Sequence, residues 1–185
     1  MATHQNTSVD SDRIALGNYK IETASSSGAT YENLGAGQLT SWAHVFEKNT
    51  LQAGNAPDPM EGIATETCAF AFDLLEYDAS AFSALQCGLI STGTITSVLS
   101  VINAGGNTVL TPRAWRLTNT REIDGASSPT VIVVYRGTID NGMVLVPKSD
   151  NDTDPMNVYQ FSVTGENDSA LSVGSQLFSI TKIET

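Results

Sequence analysis

The stretch Ile63-Ala64-Thr65-Glu66-Thr67-Cys68-Ala69-Phe70-Ala71-Phe72-Asp73 decides how this chain is to be read. Cys68, Phe70 and Phe72 alternate with Thr67, Ala69 and Ala71, and Thr65 keeps the phase of the small set. A period of two marks a strand with one buried face, because successive side chains leave a pleated backbone on opposite sides. Residues 39–48 repeat the pattern, with Trp42, His44 and Phe46 on one side and Ser41, Ala43 and Glu47 on the other. Two strands that are bulky in front and small behind predict a sheet packed on one face.

Further strands are expected at 94–102, 131–136, 143–146, 158–163 and 176–183, and a less regular one at 19–23. Gly105-Gly106, Asn141-Gly142 and Gly165 serve as turns between them. Asp78 can cap a helix over 79–87, with Phe82 and Leu85 on its apolar side and Gly88 as its stop. Between the two deciding strands, residues 49–62 carry Gly54, Pro57 and Pro59, which a ladder strand does not tolerate, so a long exposed loop is expected there. The chain therefore reads as mainly β: a β-sandwich or barrel with one short flanking helix, forming a single domain over 18–185 behind a polar arm at 1–17.

Composition agrees with one domain of this class. The chain has 185 residues, 41% hydrophobic and only 16% charged, so Ser, Thr, Asn and Gly must cover much of the surface. Twenty acidic residues against nine basic ones give a net charge of −11, which argues against a protein that grips duplex phosphates. No run approaches the roughly 18 apolar residues of a membrane span, and the first twelve residues hold no apolar signal core, so neither membrane insertion nor secretion is expected. Charge is unevenly spread. No Lys or Arg falls between Lys48 and Arg113, whereas Arg113, Arg116, Arg121 and Arg136 cluster, which predicts an acidic and a basic side suited to head-to-tail contact between copies.

Catalytic and metal chemistry find little purchase. The histidines are His4 and His44, no G-x-S-x-G elbow occurs, and neither Cys68 nor Cys87 sits in a nucleophile or C-x-x-C motif. His44, alternating with Trp42 and Phe46, reads as a core or interface residue, and the cysteines read as reduced, buried thiols. Asp150-Asn151-Asp152-Thr153-Asp154 opens like a calcium loop, but Pro155 stands where that loop needs Gly and Phe161 where it needs Glu, so a solvated turn is expected. Arg113, Trp115 and Arg116 interleave cation and aromatic, which on so acidic a chain reads as an interface strand rather than a nucleic-acid site. No catalytic residue, cofactor or metal is expected, and the chain is not read as an enzyme.

The order of features nevertheless resembles a known family. Tyr31-Glu32-Asn33-Leu34-Gly35 precedes a strand and a long Pro/Gly segment. Ile63-Ala64-Thr65-Glu66-Thr67-Cys68 then leads to Leu74-Leu75-Glu76-Tyr77 and a short helix, and Gly174-Ser175-Gln176-Leu177-Phe178-Ser179-Ile180 closes the chain. Over roughly 31–183 this is similar to the major tail tube proteins of long-tailed bacteriophages. The resemblance implies a β-sandwich whose sheets join between six subunits into a ring-shaped β-barrel, with rings stacking into the tube that conducts DNA into the host. It implies a virion location after assembly in the host cytoplasm, and as partners other copies of the chain and tail proteins such as the tape measure, tail terminator and distal tail proteins. DNA would transit the lumen without specific binding.

In that frame the small faces, Ser41, Ala43, Glu47, Thr65, Thr67 and Ala69, are the lumen candidates. Asn49, Gly54, Pro57, Asp58, Pro59 and Glu61 are the candidates for contact between stacked rings. The alternative is a β-sandwich carbohydrate-binding or adhesive module, which would share the composition but expose aromatics on one sheet face. A capsid-decorating or tail-terminating virion protein would differ in ring geometry and in not polymerising.

Overall fold

The computed structural model describes residues 18–51, 60–74, 87, 90–96, 99–106, 109–119, 130–142, 144–147 and 158–181. These residues form ten strands: β1 (Asn18–Ala24), β2 (Glu32–Leu51), β3 (Met60–Leu74), β4 (Ile90–Thr96), β5 (Leu99–Ala104), β6 (Arg113–Asn119), β7 (Val131–Ile139), β8 (Val144–Val146), β9 (Val158–Gly165) and β10 (Phe178–Thr181). All pairings are antiparallel. Eight strands make one sheet in the order β10-β7-β6-β1-β2-β3-β9-β8, and a further pairing of β7 with β9 closes six of them into a barrel. The fold is mainly β, and its barrel closes within one chain. No helix occurs among the described residues, and the segment expected to be helical lies outside them except for Cys87, which sits in a turn with φ of 50°.

Closure follows from where small residues stand. β7 pairs with β9 through Gly137↔Gly165, Thr138↔Thr164 and Ile139↔Val163. At the glycine pair a Cβ on Gly165 would lie 2.5 Å from Cys68 Sγ and 2.7 Å from Val134 Cγ1. Gly165 is therefore a strand residue whose missing side chain lets the barrel shut, and not the turn its type suggested. Beyond Ile139 the seam continues through side chains. The Asn141 amide oxygen accepts from Ser162 N (2.8 Å), and Thr164 Oγ1 donates to Asp140 (2.9 Å).

The interior is filled by side chains, as expected of so narrow a barrel. Cys68, Phe70 and Phe72 of β3 are all at most 1% exposed, so the deciding alternation points its bulky set inward. Trp115 of β6 lies between them. Its ring centroid is 6.0 Å from that of Phe70 and 6.2 Å from that of Phe72, and its indole N–H donates to the Gly137 carbonyl (3.3 Å). Phe161, Ile21, Leu117, Val134 and Val163 are further members of the core. The segment from Arg113, expected as an interface strand, is thus a barrel wall whose Trp115 is fully buried.

Three other expectations change. The run at 94–102 is a hairpin, β4 with β5, rather than one strand. The strand expected at 176–183 spans only Phe178–Thr181 among the described residues. The loop at 49–62 is shorter than its prolines suggested, because Asn49↔Gly62, Thr50↔Glu61 and Leu51↔Met60 continue the β2–β3 ladder. Asn49 and Glu61 are therefore strand residues. Gly54, Pro57, Asp58 and Pro59 lie outside the described residues, as do the arm at 1–17 and Asp150 to Asp154.

Candidate assembly surface

β2 and β3 are longer than the barrel they help to build. β1 pairs with β2 only as far as Gln38, and β9 pairs with β3 only from Cys68 onward. Residues 39–44 of β2 still pair with the barrel residues 68–72 but have no strand on their other edge among the described residues, and 45–51 with 60–67 continue as a ribbon paired only with each other. At about 3.3 Å per residue the seven residues of β2 in this ribbon reach about 23 Å.

Register places every lumen candidate on one face of this hairpin. Ser41 stands opposite Ala71, Ala43 opposite Ala69, Val45 opposite Thr67 and Glu47 opposite Thr65, and paired residues share a face. The face spreads onto β9, where Ser162 pairs with Ala71, Thr164 with Ala69 and Gln160 with Asp73. Val45, Ala71, Gln160, Ser162 and Thr164 thus belong to the same surface. Parity within 158–163 was the signal that could have found the β9 members. No cation lies on this face among the described residues, while Glu47 and Asp73 stand toward its two ends.

On the other face Trp42 closes the barrel mouth. It stacks on Phe70 with centroids 5.8 Å apart and meets the edge of Phe178 at 5.3 Å. His44 continues that packing, its ring meeting Phe178 edge-on with centroids 5.3 Å apart, but Phe46 has no such partner beneath it among the described residues. His44 pairs with Glu66 (2.8 Å), and Phe46 is 49% exposed. Further out Ile63 is 62% exposed, and Val45 on the small face is half exposed. Beneath the ribbon runs a groove of about 380 Å³ between His44, Ile63 and Glu66 on one side and Val173, Leu177 and Phe178 on the other; Thr65 borders it as well. Bulges between Leu39 and Ser41 and between Glu47 and Lys48 interrupt the register of the ribbon.

The expected basic side does not exist among the described residues, because each described Lys and Arg has a carboxylate of this chain within 4 Å. Arg116 and Lys20 both hold Glu22 (2.7 and 2.8 Å), Arg113 meets Glu32, Arg136 meets Glu166, and Lys48 meets Glu61 across the ribbon. The Tyr31 ring covers Arg116, with its centroid 4.2 Å from Cζ. Burial works to raise the Glu22 pKa, but hydrogen bonds and charge from Arg116 and Lys20 outweigh it and hold the carboxyl below its ordinary value. The two cysteines are free and buried, as read from the sequence. Burial pushes the Cys68 thiol up to about 11, so it is an inert core group rather than a nucleophile.

Fold and surface together define a class: a small closed antiparallel barrel that projects a two-stranded ribbon beyond its own core. Among solved structures the chain is similar to the anti-feeding prophage cap, the tube-terminating cap of that assembly, with a TM-score of 0.45 and 6% sequence identity over 98% of this chain and 100% of that one. No family model and no curated protein matches the chain.

Proposed function

We propose that this is a structural protein of a phage virion, whose subunits join into hexameric rings that stack into a tail tube and conduct DNA to the host. The observation that carries the reading is the ribbon. A single domain has no use for about 23 Å of paired strand that leaves its core, has no further strand on either edge among the described residues and bears Val45, Phe46 and Ile63 in solvent. Such a ribbon is stable where neighbouring copies supply the missing layer and pair its edges. The small face from Ser41 to Glu47 and from Thr65 to Ala71 would then line the lumen. Its lack of cations suits a wall along which DNA slides without being gripped. The role is structural, with no reaction catalysed, and the partners are other copies and the neighbouring tail proteins. The recognition-module alternative is not favoured, since Phe70, Phe72, Trp115 and Phe161 are spent inside the barrel.

Sedimentation and negative-stain microscopy of the purified protein test this directly. Rings or tubes are expected, and a Phe46→Ser, Ile63→Ser double variant should remain a folded monomer. A wild-type protein that stays monomeric across concentration and salt would overturn the reading.

A further inference from the structure

Between β7 and β8 the strand breaks off, yet the seam against β9 does not. The ladder runs to Ile139↔Val163 and resumes at Val144↔Gln160, so both strands lie along the same edge of β9. Across the break the Asp140 N–H donates to the Ser162 carbonyl (2.9 Å), and the Asn141 side chain then takes over from the backbone. Its Oδ1 accepts from Ser162 N (2.8 Å) and Ser162 Oγ (3.1 Å), and its Nδ2 donates to the Gln160 carbonyl (3.2 Å). With donors at one end and a carbonyl at the other, only one orientation of the amide satisfies the site. Asn141 thus serves as a spare peptide group, offering β9 the acceptor and the donor that a strand residue would offer.

The residue that follows gives this amide a second chemistry. Asn141-Gly142 is the one Asn-Gly pair of the chain. An Asn side chain is open to attack by the backbone nitrogen of the next residue, and Gly, lacking a Cβ, obstructs that approach least. Gly142 N gives up its proton to solvent base and bonds to Asn141 Cγ. The Cγ–Nδ2 bond breaks, and the nitrogen takes up a proton and leaves as ammonia. One water then opens the cyclic imide at either carbonyl, leaving aspartate or isoaspartate at position 141. Gly142 is exposed, so water and base reach the pair. The clasp opposes the reaction, because attack makes Cγ tetrahedral and turns Oδ1 and Nδ2 out of the plane in which β9 holds them.

We propose that Asn141 is a modification site gated by the barrel seam, kept intact while residues 140–141 lie on β9 and deamidated when that stretch opens. Neither the clasp nor the reaction depends on assembly into a tube. The new carboxylate still accepts from Ser162, but it has no N–H for the Gln160 carbonyl. It also sets a negative charge against that oxygen and next to Asp140, whose own carboxylate accepts from Thr164 (2.9 Å). An opened seam is therefore marked irreversibly and closes less firmly afterwards.

Peptide mapping by mass spectrometry reads the reaction on the full chain, held at mildly alkaline pH either folded or in denaturing guanidinium chloride. Deamidation at Asn141 should be at least about tenfold slower in the folded chain. Gly142→Ala, whose Cβ has open space, should fold normally and suppress the reaction in denaturant, which identifies Gly142 N as the attacking group. Gly165→Ala strains the seam against Cys68 and Val134 and should speed deamidation of the folded chain several-fold. Should that variant fail to fold, guanidinium below the unfolding transition loosens the wild-type seam instead, and the rate should rise with it. Asn141→Asp should unfold at lower denaturant than wild type.

Equal rates in the folded and unfolded chain would overturn the proposal, as would an Asn141 that survives in the unfolded chain. So would a folded-chain rate that ignores the loosening of the seam, or an Asn141→Asp chain as stable as wild type.

Discussion

The β2–β3 hairpin passes through two environments without a break in hydrogen bonding. Inside the barrel, residues 68–74 of β3 have β9 as a third strand and a core beneath them, and Cys68, Phe70 and Phe72 are almost wholly buried. A few residues outward the same backbone carries Ile63 and Phe46 in solvent. The ladder is therefore not what buries a side chain. A layer packed across the face does that, and the outer ribbon lacks one among the described residues.

The largest expected difference between the two regions is in stability. Phe70→Ala removes a ring that touches Trp42, Phe72 and Trp115, and should cost about 3–5 kcal/mol in urea unfolding. Phe46→Ala in the ribbon should stay within about 0.5 kcal/mol of wild type for the monomer. Equal losses from the two variants would mean that the ribbon is packed in the isolated subunit.

Glycines sharpen the contrast. Gly165→Ala sets a methyl group against Cys68 and Val134 at the barrel seam and should destabilise by about 1–3 kcal/mol. Gly62→Ala in the ribbon has open space around the new Cβ and should be neutral or slightly stabilising. Thermal unfolding of the pair would show whether closure at Gly137 and Gly165 is as tight as the geometry says.

A third test concerns the ion cluster on the barrel wall. Glu22→Gln should cost about 1–2 kcal/mol at neutral pH, since Arg116 and Lys20 lose their shared carboxylate and Arg116 is partly in solvent. The folded pKa of Glu22 lies below its ordinary value of 4.5. Its contribution is therefore full above that value and lost as pH falls through the folded pKa. Urea titrations of wild type and Glu22→Gln should converge in acid; a gap that stayed constant down to the acid limit would show that the carboxylate charge is not what matters.

The smallest effect on folding is expected at the outward face. Thr67→Lys should leave monomer stability within about 0.5 kcal/mol but put a ring of cations on the wall, so that DNA passage slows at low salt and recovers as salt is raised. Unchanged ejection at low salt from assembled particles would place this face elsewhere than the lumen.

Much of this was legible locally. The period of two in residues 63–73 and 42–46 determined strands and the sides of their residues, because pleat geometry depends on neighbours along the chain alone. The same alternation put the six lumen candidates on one side, and register then brought them together. Proline and glycine content misjudged the segment at 49–62, since ladder pairing across the hairpin held Asn49 and Glu61 in strands despite the breakers beside them. The arginine cluster was visible as composition, but its partners were not. Glu22 lies 94 residues from Arg116, and such pairings exist only after β1 and β6 have been set side by side.

What the sequence by itself determined, then, is the class: alternating strands of small and bulky residues, an acidic surface and buried thiols. Tertiary structure decided the rest. Whether a bulky face is covered depends on how far the neighbouring strands run, and β1 and β9 stop at Gln38 and Cys68. The barrel closes because Gly137 meets Gly165, and Gly165 reads as a turn until the far ends of the sheet come together.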